Sequence, residues 1–279
     1  MIASHYLRRS LLTLLLSTLA AGVFAQAQPA QKPFEPQVGQ EGKDVIWVPT
    51  PQGLVDKMLG MAKVTPDDYV IDLGSGDGRT VITAAKRGAR ALGIEYNPDM
   101  VELSKRNAEK EGVAGKANFV KADIFESDFS QATVITMYLL PQLNVKLRPK
   151  ILDLKPGTRI VSHAFSMEEW TPDQTESFDG RTAYLWIVPA KVEGAWQLAQ
   201  GELTLAQNFQ MVIGTLKSGG NTVMIADGRL RGNRLSFRAG DVEYTGRVNG
   251  NTIEGTVKGS SSGSWNATRT SKPAASPGK

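Results

Sequence analysis

The stretch Val70-Ile71-Asp72-Leu73-Gly74-Ser75-Gly76-Asp77-Gly78-Arg79 constrains the chain more than any other. An apolar run carrying one acid gives way to three glycines at alternate positions, and a helical pattern over 80–87 starts at once. A strand, a tight turn and a helix N-terminus in immediate succession make the unit that holds nucleotide-like ligands in open α/β sheets.

The neighbouring segments alternate in the same way. Leu54, Met58, Leu59 and Met61 fall at helical spacing and predict a helix over about 51–62. Strands are predicted over 69–73, 91–94, 117–121, 132–138 and 159–163. Glu95 closes the second and Asp123 the third. Helices are predicted over 80–87 and 97–110, and a short helical piece over 143–152, interrupted by Pro149. Segments 174–178 and 182–188 read as an antiparallel pair. Such alternation predicts a parallel sheet covered on both faces.

The pattern changes after Pro189. Short alternating runs separated by Gly and Asn extend to about 270. Gly228-Arg229-Leu230-Arg231-Gly232-Asn233-Arg234-Leu235 has a counterpart in Gly246-Arg247-Val248-Asn249-Gly250-Asn251-Thr252-Ile253, eighteen residues on, with a looser copy beginning at Gly214. Each Gly-Asn pair sits between apolar alternations, as a hairpin turn requires. The expectation is a small all-β C-terminal domain of repeated hairpins, as a barrel or a sandwich.

The N-terminus reads as a processing segment. Arg8 and Arg9 precede a fourteen-residue apolar run over 11–24, short for a bilayer span, and Val23-Phe24-Ala25 puts small residues where a signal peptidase cuts. The expected division is a signal peptide over 1–25, a Gln/Pro/Ala-rich linker over 26–43, a ligand-binding domain over 44–189, the β domain over 190–270 and a disordered tail over 271–279. The segment leads to export into a periplasm or cell envelope if cleaved, and to membrane association if kept as an anchor. Asp44 to Pro51 reads as a rigid, extended lead-in. Net charge is +4 without a basic block, so no nucleic-acid partner is expected. The chain has no cysteine, which excludes disulfides, thiolate metal sites and cysteine nucleophiles. No cluster has metal-ligand spacing, and no metal is expected.

The acids narrow the ligand. Asp72, directly before the turn, would repel a pyrophosphate and suit an ammonium group. Glu95 can take both hydroxyls of a ribose. Asp123 can accept from an adenine amino group, with Ile124 and Phe125 beside the ring. S-adenosylmethionine has an ammonium, a ribose and an adenine but no phosphate, whereas nicotinamide and flavin cofactors carry phosphate. The expected cofactor-binding set is Thr50, Asp72, Gly74, Ser75, Gly76, Asp77, Gly78, Glu95, Asp123 and Ile124. Two readings are open for Asp77, a water-mediated contact to the ammonium or a helix cap. Trp47 and Thr50 are candidates to close over the methionine end.

The turn resembles motif I of the class I, seven-strand methyltransferases. Val48-Pro49-Thr50-Pro51, Tyr138-Leu139-Leu140-Pro141-Gln142-Leu143-Asn144 and Leu154-Lys155-Pro156-Gly157-Thr158-Arg159-Ile160-Val161-Ser162-His163 resemble a bacterial branch related to protein-lysine methyltransferases of mitochondrial membrane proteins. The resemblance covers about 44–188. It implies a Rossmann-like α/β sheet of strand order 3-2-1-4-5-7-6, S-adenosylmethionine as methyl donor and a protein lysine as acceptor. Tyr138 and Pro141 at the end of strand four, and His163 at the end of strand five, are the catalytic candidates. Tyr138 either guides the amine or packs under its loop, and His163 is either a base or structural. The alternative function is an exported binding module that keeps the fold without catalysis.

Overall fold

The computed structural model of the chain describes residues 34–199, 201–260 and 262–271. The expected signal peptide over 1–25, the first part of the 26–43 linker and all but the first residue of the 271–279 tail lie outside the described residues.

Seven strands form one sheet in the order β3-β2-β1-β4-β5-β7-β6. They are β1 (Tyr69–Leu73), β2 (Arg90–Glu95), β3 (Ala117–Lys121), β4 (Val134–Met137), β5 (Arg159–His163), β6 (Gln174–Phe178) and β7 (Arg181–Ile187). The first five run parallel, and β7 is antiparallel to both β5 and β6. The order reverses between β1 and β4, which opens a crevice at their C-terminal ends.

Alternation along β1 sets the two layers. Val70 joins a core with α1 (Gln52–Met61), α2 (Arg79–Lys86) and α3 (Pro98–Lys110), through Leu54, Leu59, Val81, Ala84 and Val101. Ile71 and Leu73 face the other way, onto Leu147 and Ile151 of α4 (Pro141–Leu152) and Trp186 of β7. Asp72 therefore points toward the same layer as Val70.

Three local expectations change. Pro149 does not interrupt α4, which runs unbroken from Pro141 to Leu152. A proline this near the C-terminus forfeits one hydrogen bond, and the buried Leu147 and Ile151 anchor the turns on either side. The ladder of β4 stops at Met137, so Tyr138 lies just beyond it, free to turn off the sheet. The lead-in is not extended throughout. Trp47 N donates to Gln40 O and Gly39 N to Trp47 O, both at 2.9 Å, and Glu41 bridges Ile46. Residues 39–47 thus fold into a loop that reaches into the segment expected to be linker.

The C-terminal strands are β8 (Gly194–Leu198), β9 (Gly201–Asn208), β10 (Met211–Ser218), β11 (Asn221–Arg231), β12 (Arg234–Ala239), β13 (Val242–Asn249), β14 (Thr252–Lys258) and β15 (Gly263–Ser271). The architecture is more specific than a set of hairpins: β15 pairs β8 and closes an eight-strand antiparallel barrel. Trp196, Leu230, Leu235, Phe237, Ile253 and Trp265 fill its interior, as in other small barrels. The barrel docks on the sheet domain away from the crevice. Gln210 Nε2 donates to Thr171 O at 2.7 Å, and Arg229 Nη2 contacts the buried carboxylate of Asp173 at 2.8 Å.

Candidate active site

The glycine turn is shaped by what presses on it. Gly74 N and Ser75 N both donate to Ile94 O, at 2.9 and 3.1 Å, tying the turn to the end of β2. Gly76 has φ +54°, and a Cβ there would lie 2.6 Å from Trp47 Nε1. Gly78 has φ +83°, and a Cβ would meet the Phe119 ring at 2.8 Å. Only glycine satisfies both the dihedral angle and the space. Helix α3 grips the turn's carbonyls from outside: Ser104 Oγ donates to Gly76 O at 2.8 Å and Asn107 Nδ2 to Asp77 O at 2.9 Å.

The chemistry-bearing side chains line up along the C-terminal edge of the sheet in strand order. Asp123 follows β3, Glu95 ends β2, Asp72 lies on β1, Tyr138 follows β4 and Phe165 follows β5. All five line one cavity of about 300 Å³, at the lower end of the range for small-molecule sites.

Each acid is held differently. Asp72 is 6% exposed and accepts from Thr136 Oγ1 at 2.6 Å. Burial raises its carboxyl from the ordinary 3.8 to about 7, and the charges of Glu95 and Asp77 add to the effect. Glu95 is oriented by two backbone donors, Gly76 N to Oε2 at 2.9 Å and Asn97 N to Oε1 at 3.0 Å. Asp123 Oδ1 accepts from Phe125 N at 2.9 Å, and its other oxygen is paired with Lys43. The Lys43 hydrogen bond and the Phe125 N–H hold the Asp123 carboxyl below the usual carboxylate range.

Lys43 gives no signal in the sequence, because it sits in the stretch that reads as linker. In the structure every residue from Gln40 to Thr50 lines the cavity, and the ammonium of Lys43 lies 5.1 Å from the Tyr96 ring centroid. The loop 39–47 is therefore a strap across the site, with Trp47 on the glycine turn and Lys43 on Asp123.

Asp77 is not a free carboxylate: its Oδ1 accepts from Arg79 N, the first backbone donor of α2, at 3.3 Å. Arg79 grips it with Nε at 3.0 Å and Nη2 at 2.6 Å, while Arg79 Nη1 donates to Thr50 O at 2.8 Å. Thr50 Oγ1 and His163 Nδ1 are hydrogen-bonded at 3.0 Å. Tyr138 stacks on His163 at 3.8 Å between centroids and lies 5.9 Å from Phe165. A chain of contacts thus runs from the glycine turn through the strap to the aromatic end of the cavity.

Of the predicted site residues, Thr50, Asp72, Gly74, Ser75, Gly76, Asp77, Glu95, Asp123, Ile124 and Tyr138 line the cavity. Gly78, Pro141 and His163 do not. Gly78 is the N-cap of α2 and Pro141 opens α4. His163 is 3% exposed and backs the Tyr138 ring. Burial, then the charge of Arg181, lowers its pKa from 6.5 to about 4, so the imidazole is neutral near pH 7. Sequence reasoning missed Lys43, Arg79 and Phe165. Arg79 stands inside the turn motif, and Phe165 two residues beyond the end of β5 was the other available signal.

The residues fit a ligand with an ammonium, a ribose and an adenine. A buried carboxylate with a raised pKa is a site that a cation relieves. Ser75 Oγ is buried and has no hydrogen-bond partner among the described residues. Glu95 and Asp123 retain acceptor capacity for hydroxyl and amino groups.

Comparison with known proteins agrees. The ANTKMT methyltransferase domain matches residues 72–174. A protein-lysine N-methyltransferase of Saccharolobus islandicus is 46% identical over 151 residues, spanning 52% of this chain and 94% of that protein. The adenine nucleotide translocase lysine N-methyltransferase of Mus musculus is 32% identical over 120 residues, 42% of this chain and 52% of that protein. Among solved structures, an RNA methyltransferase from Salinibacter ruber in complex with S-adenosyl-L-homocysteine is 50% identical. The match covers 52% of this chain and 96% of that one, with a TM-score of 0.51.

Proposed function

This chain belongs to the S-adenosylmethionine-dependent methyltransferases of the family that includes the protein-lysine N-methyltransferases, and from that premise we propose that it methylates the side-chain amine of a protein lysine. S-adenosylmethionine is its methyl donor. The observation that carries the lysine reading is the match to the Saccharolobus islandicus enzyme across nearly its whole length. The aromatic end of the cavity supports it.

The donor supplies an electrophilic methyl group on a sulfonium. The chain's part is to bind, orient and keep out water. In this reading Asp72 takes the ammonium, Glu95 the ribose hydroxyls and Asp123 the adenine amino group, which must displace Lys43. Ser75 offers its unpartnered hydroxyl to the same ligand. The strap, fixed by Arg79 on Thr50 and by Trp47 on Gly76, shields the donor from solvent. An in-line displacement needs the acceptor about 3 Å from the methyl carbon. Tyr138 guides the amine, with Leu139 and Leu143 beside it along the cavity wall. A lysine amine must arrive neutral, and a desolvated wall favours loss of its proton. His163, behind Tyr138, acts by positioning that ring, and Pro141 by fixing the loop where α4 begins.

A second reading has one observation behind it, the 50% identity to the Salinibacter ruber RNA methyltransferase. Tyr138 and Phe165 also present aromatic faces, on which proteins stack unpaired bases. Incubation with labelled donor and a cell-envelope extract separates the two. Protease-sensitive label supports the lysine reading, and nuclease-sensitive label refutes it. The envelope is the extract to try because the N-terminal segment reads as an export signal. Mature protein beginning at Gln26 would support export; an intact N-terminus would point to an anchor.

A further inference from the structure

The loop leaving β5 is held in a strained conformation. Ala164 has φ +62°, a region that a residue with a Cβ avoids. The turn is closed by Phe165 N donating to His163 O at 2.7 Å. Its effect is to deliver the Phe165 ring to the cavity wall, 19° from parallel with Tyr138. Strained backbone of this kind persists where its surroundings over-determine it.

Here they do. Ser162 Oγ donates to Phe165 O at 2.7 Å. Asn144 Nδ2 donates to Phe165 O at 3.2 Å and to Ser166 O at 3.1 Å. One helical turn along α4, Arg148 Nη1 donates to Met167 O at 2.9 Å. Asn144 is fully buried, and its Oδ1 has no partner among the described residues. A buried amide with its acceptor unmet is a poor choice for stability alone. What it supplies is a pair of donors aimed at two consecutive carbonyls of the strained loop. The same asparagine ends the Tyr138-to-Asn144 stretch, and its place there is otherwise unexplained.

We propose that Phe165 is the wall that selects the methyl acceptor and that Asn144 is the positioning residue that holds it in place. The inference deepens the lysine reading and rests on it. Along the sheet edge Phe165 lies beyond Tyr138, on the side away from the acids of the donor site. Two near-parallel rings with Leu139 and Leu143 make a wall without charge. That wall suits an unbranched alkyl chain ending in an amine, and aromatic faces also tolerate the amine once methylated.

The test uses a probe that needs no known acceptor: a donor analogue in which nitrogen replaces the sulfonium and carries an aminobutyl arm. Calorimetry on the full chain compares it with S-adenosylhomocysteine. In the wild type the arm should tighten binding at least about tenfold. Phe165→Ala and Asn144→Leu should lose that gain, with the S-adenosylhomocysteine affinity changed less than about twofold, and Phe165→Tyr should keep it. A gain that survives in Phe165→Ala overturns the inference and leaves the lysine reading standing. If the wild type shows no gain, the lysine reading falls, and labelled transfer to a total cell extract decides on the wall. Transfer lost in Phe165→Ala with S-adenosylhomocysteine binding intact upholds Phe165 as the acceptor wall. Unchanged transfer overturns it.

Discussion

Asp72 should make donor-site binding depend on pH in a window where few other groups titrate. Its carboxyl is raised from 3.8 to about 7 by burial, with Glu95 and Asp77 nearby. A shift of about three units corresponds to about 4 kcal/mol against the ionised form. Below pH 7 the free protein therefore holds a proton that a bound ammonium must expel, and affinity should fall about tenfold per unit. For S-adenosylhomocysteine, whose ammonium stays charged here, the dissociation constant should be on the order of 50- to 100-fold weaker at pH 5 than at pH 7.5. His163 does not interfere, since its pKa lies near 4. Asp72→Asn should bind more weakly at pH 7.5 and show a flat profile. The same substitution should stabilise the free protein. The penalty of ionising Asp72 is fully present above pH 7 and vanishes below the unfolded pKa near 3.8. The gain in melting temperature should thus be largest at pH 8 and fade toward pH 4. Calorimetric titration across pH 5–7.5 checks the first part and thermal denaturation the second. A flat wild-type binding profile, or a steep one retained in Asp72→Asn, would refute the assignment.

Other outcomes follow from the strap and the barrel. Lys43→Gln removes the ammonium that pairs with Asp123; S-adenosylhomocysteine binding should tighten roughly two- to fivefold at low salt and the difference should shrink at high salt, read by calorimetry. Arg79→Lys keeps the charge but not the fork on Asp77 with its third contact to Thr50 O; the donor KM should rise about tenfold with the acceptor KM little changed. Gly246→Ala places a methyl group 2.7 Å from Ile253 Cγ2 and 2.8 Å from the Trp265 ring; chemical denaturation should show about 1–3 kcal/mol of lost stability in the barrel, with donor binding intact.

What could be read from the sequence was what is local. The path from β1 through the glycine turn to α2 depends on neighbouring residues, and so do the strand-end acids Asp72, Glu95 and Asp123. Their relative order along the sheet edge is not local; it came through the family resemblance. Pro149 misled because propensity treats a helix without its core, whereas Leu147 and Ile151 hold α4 to the sheet. The strap was invisible because Gln40, in a stretch of linker-like composition, pairs with Trp47 across a loop. Barrel closure joins β8 to β15, from opposite ends of the domain, and no local pattern encodes that pairing. Hairpins within the barrel were legible for the opposite reason: Gly232-Asn233 and Gly250-Asn251 sit at the turns between consecutive strands. Phe165 escaped notice because its place on the wall depends on the backbone of Ala164 and on donors from α4, Asn144 among them.

Among these measurements, mapping the transferred methyl bears most directly on the function. The wild-type protein is incubated with labelled S-adenosylmethionine and envelope proteins, and the labelled product is digested and sequenced by mass spectrometry. The account predicts the methyl on the Nζ of a lysine, and less of it from Phe165→Ala at equal donor saturation. Methyl found on a nucleobase, or on a protein group other than a lysine amine, would contradict it.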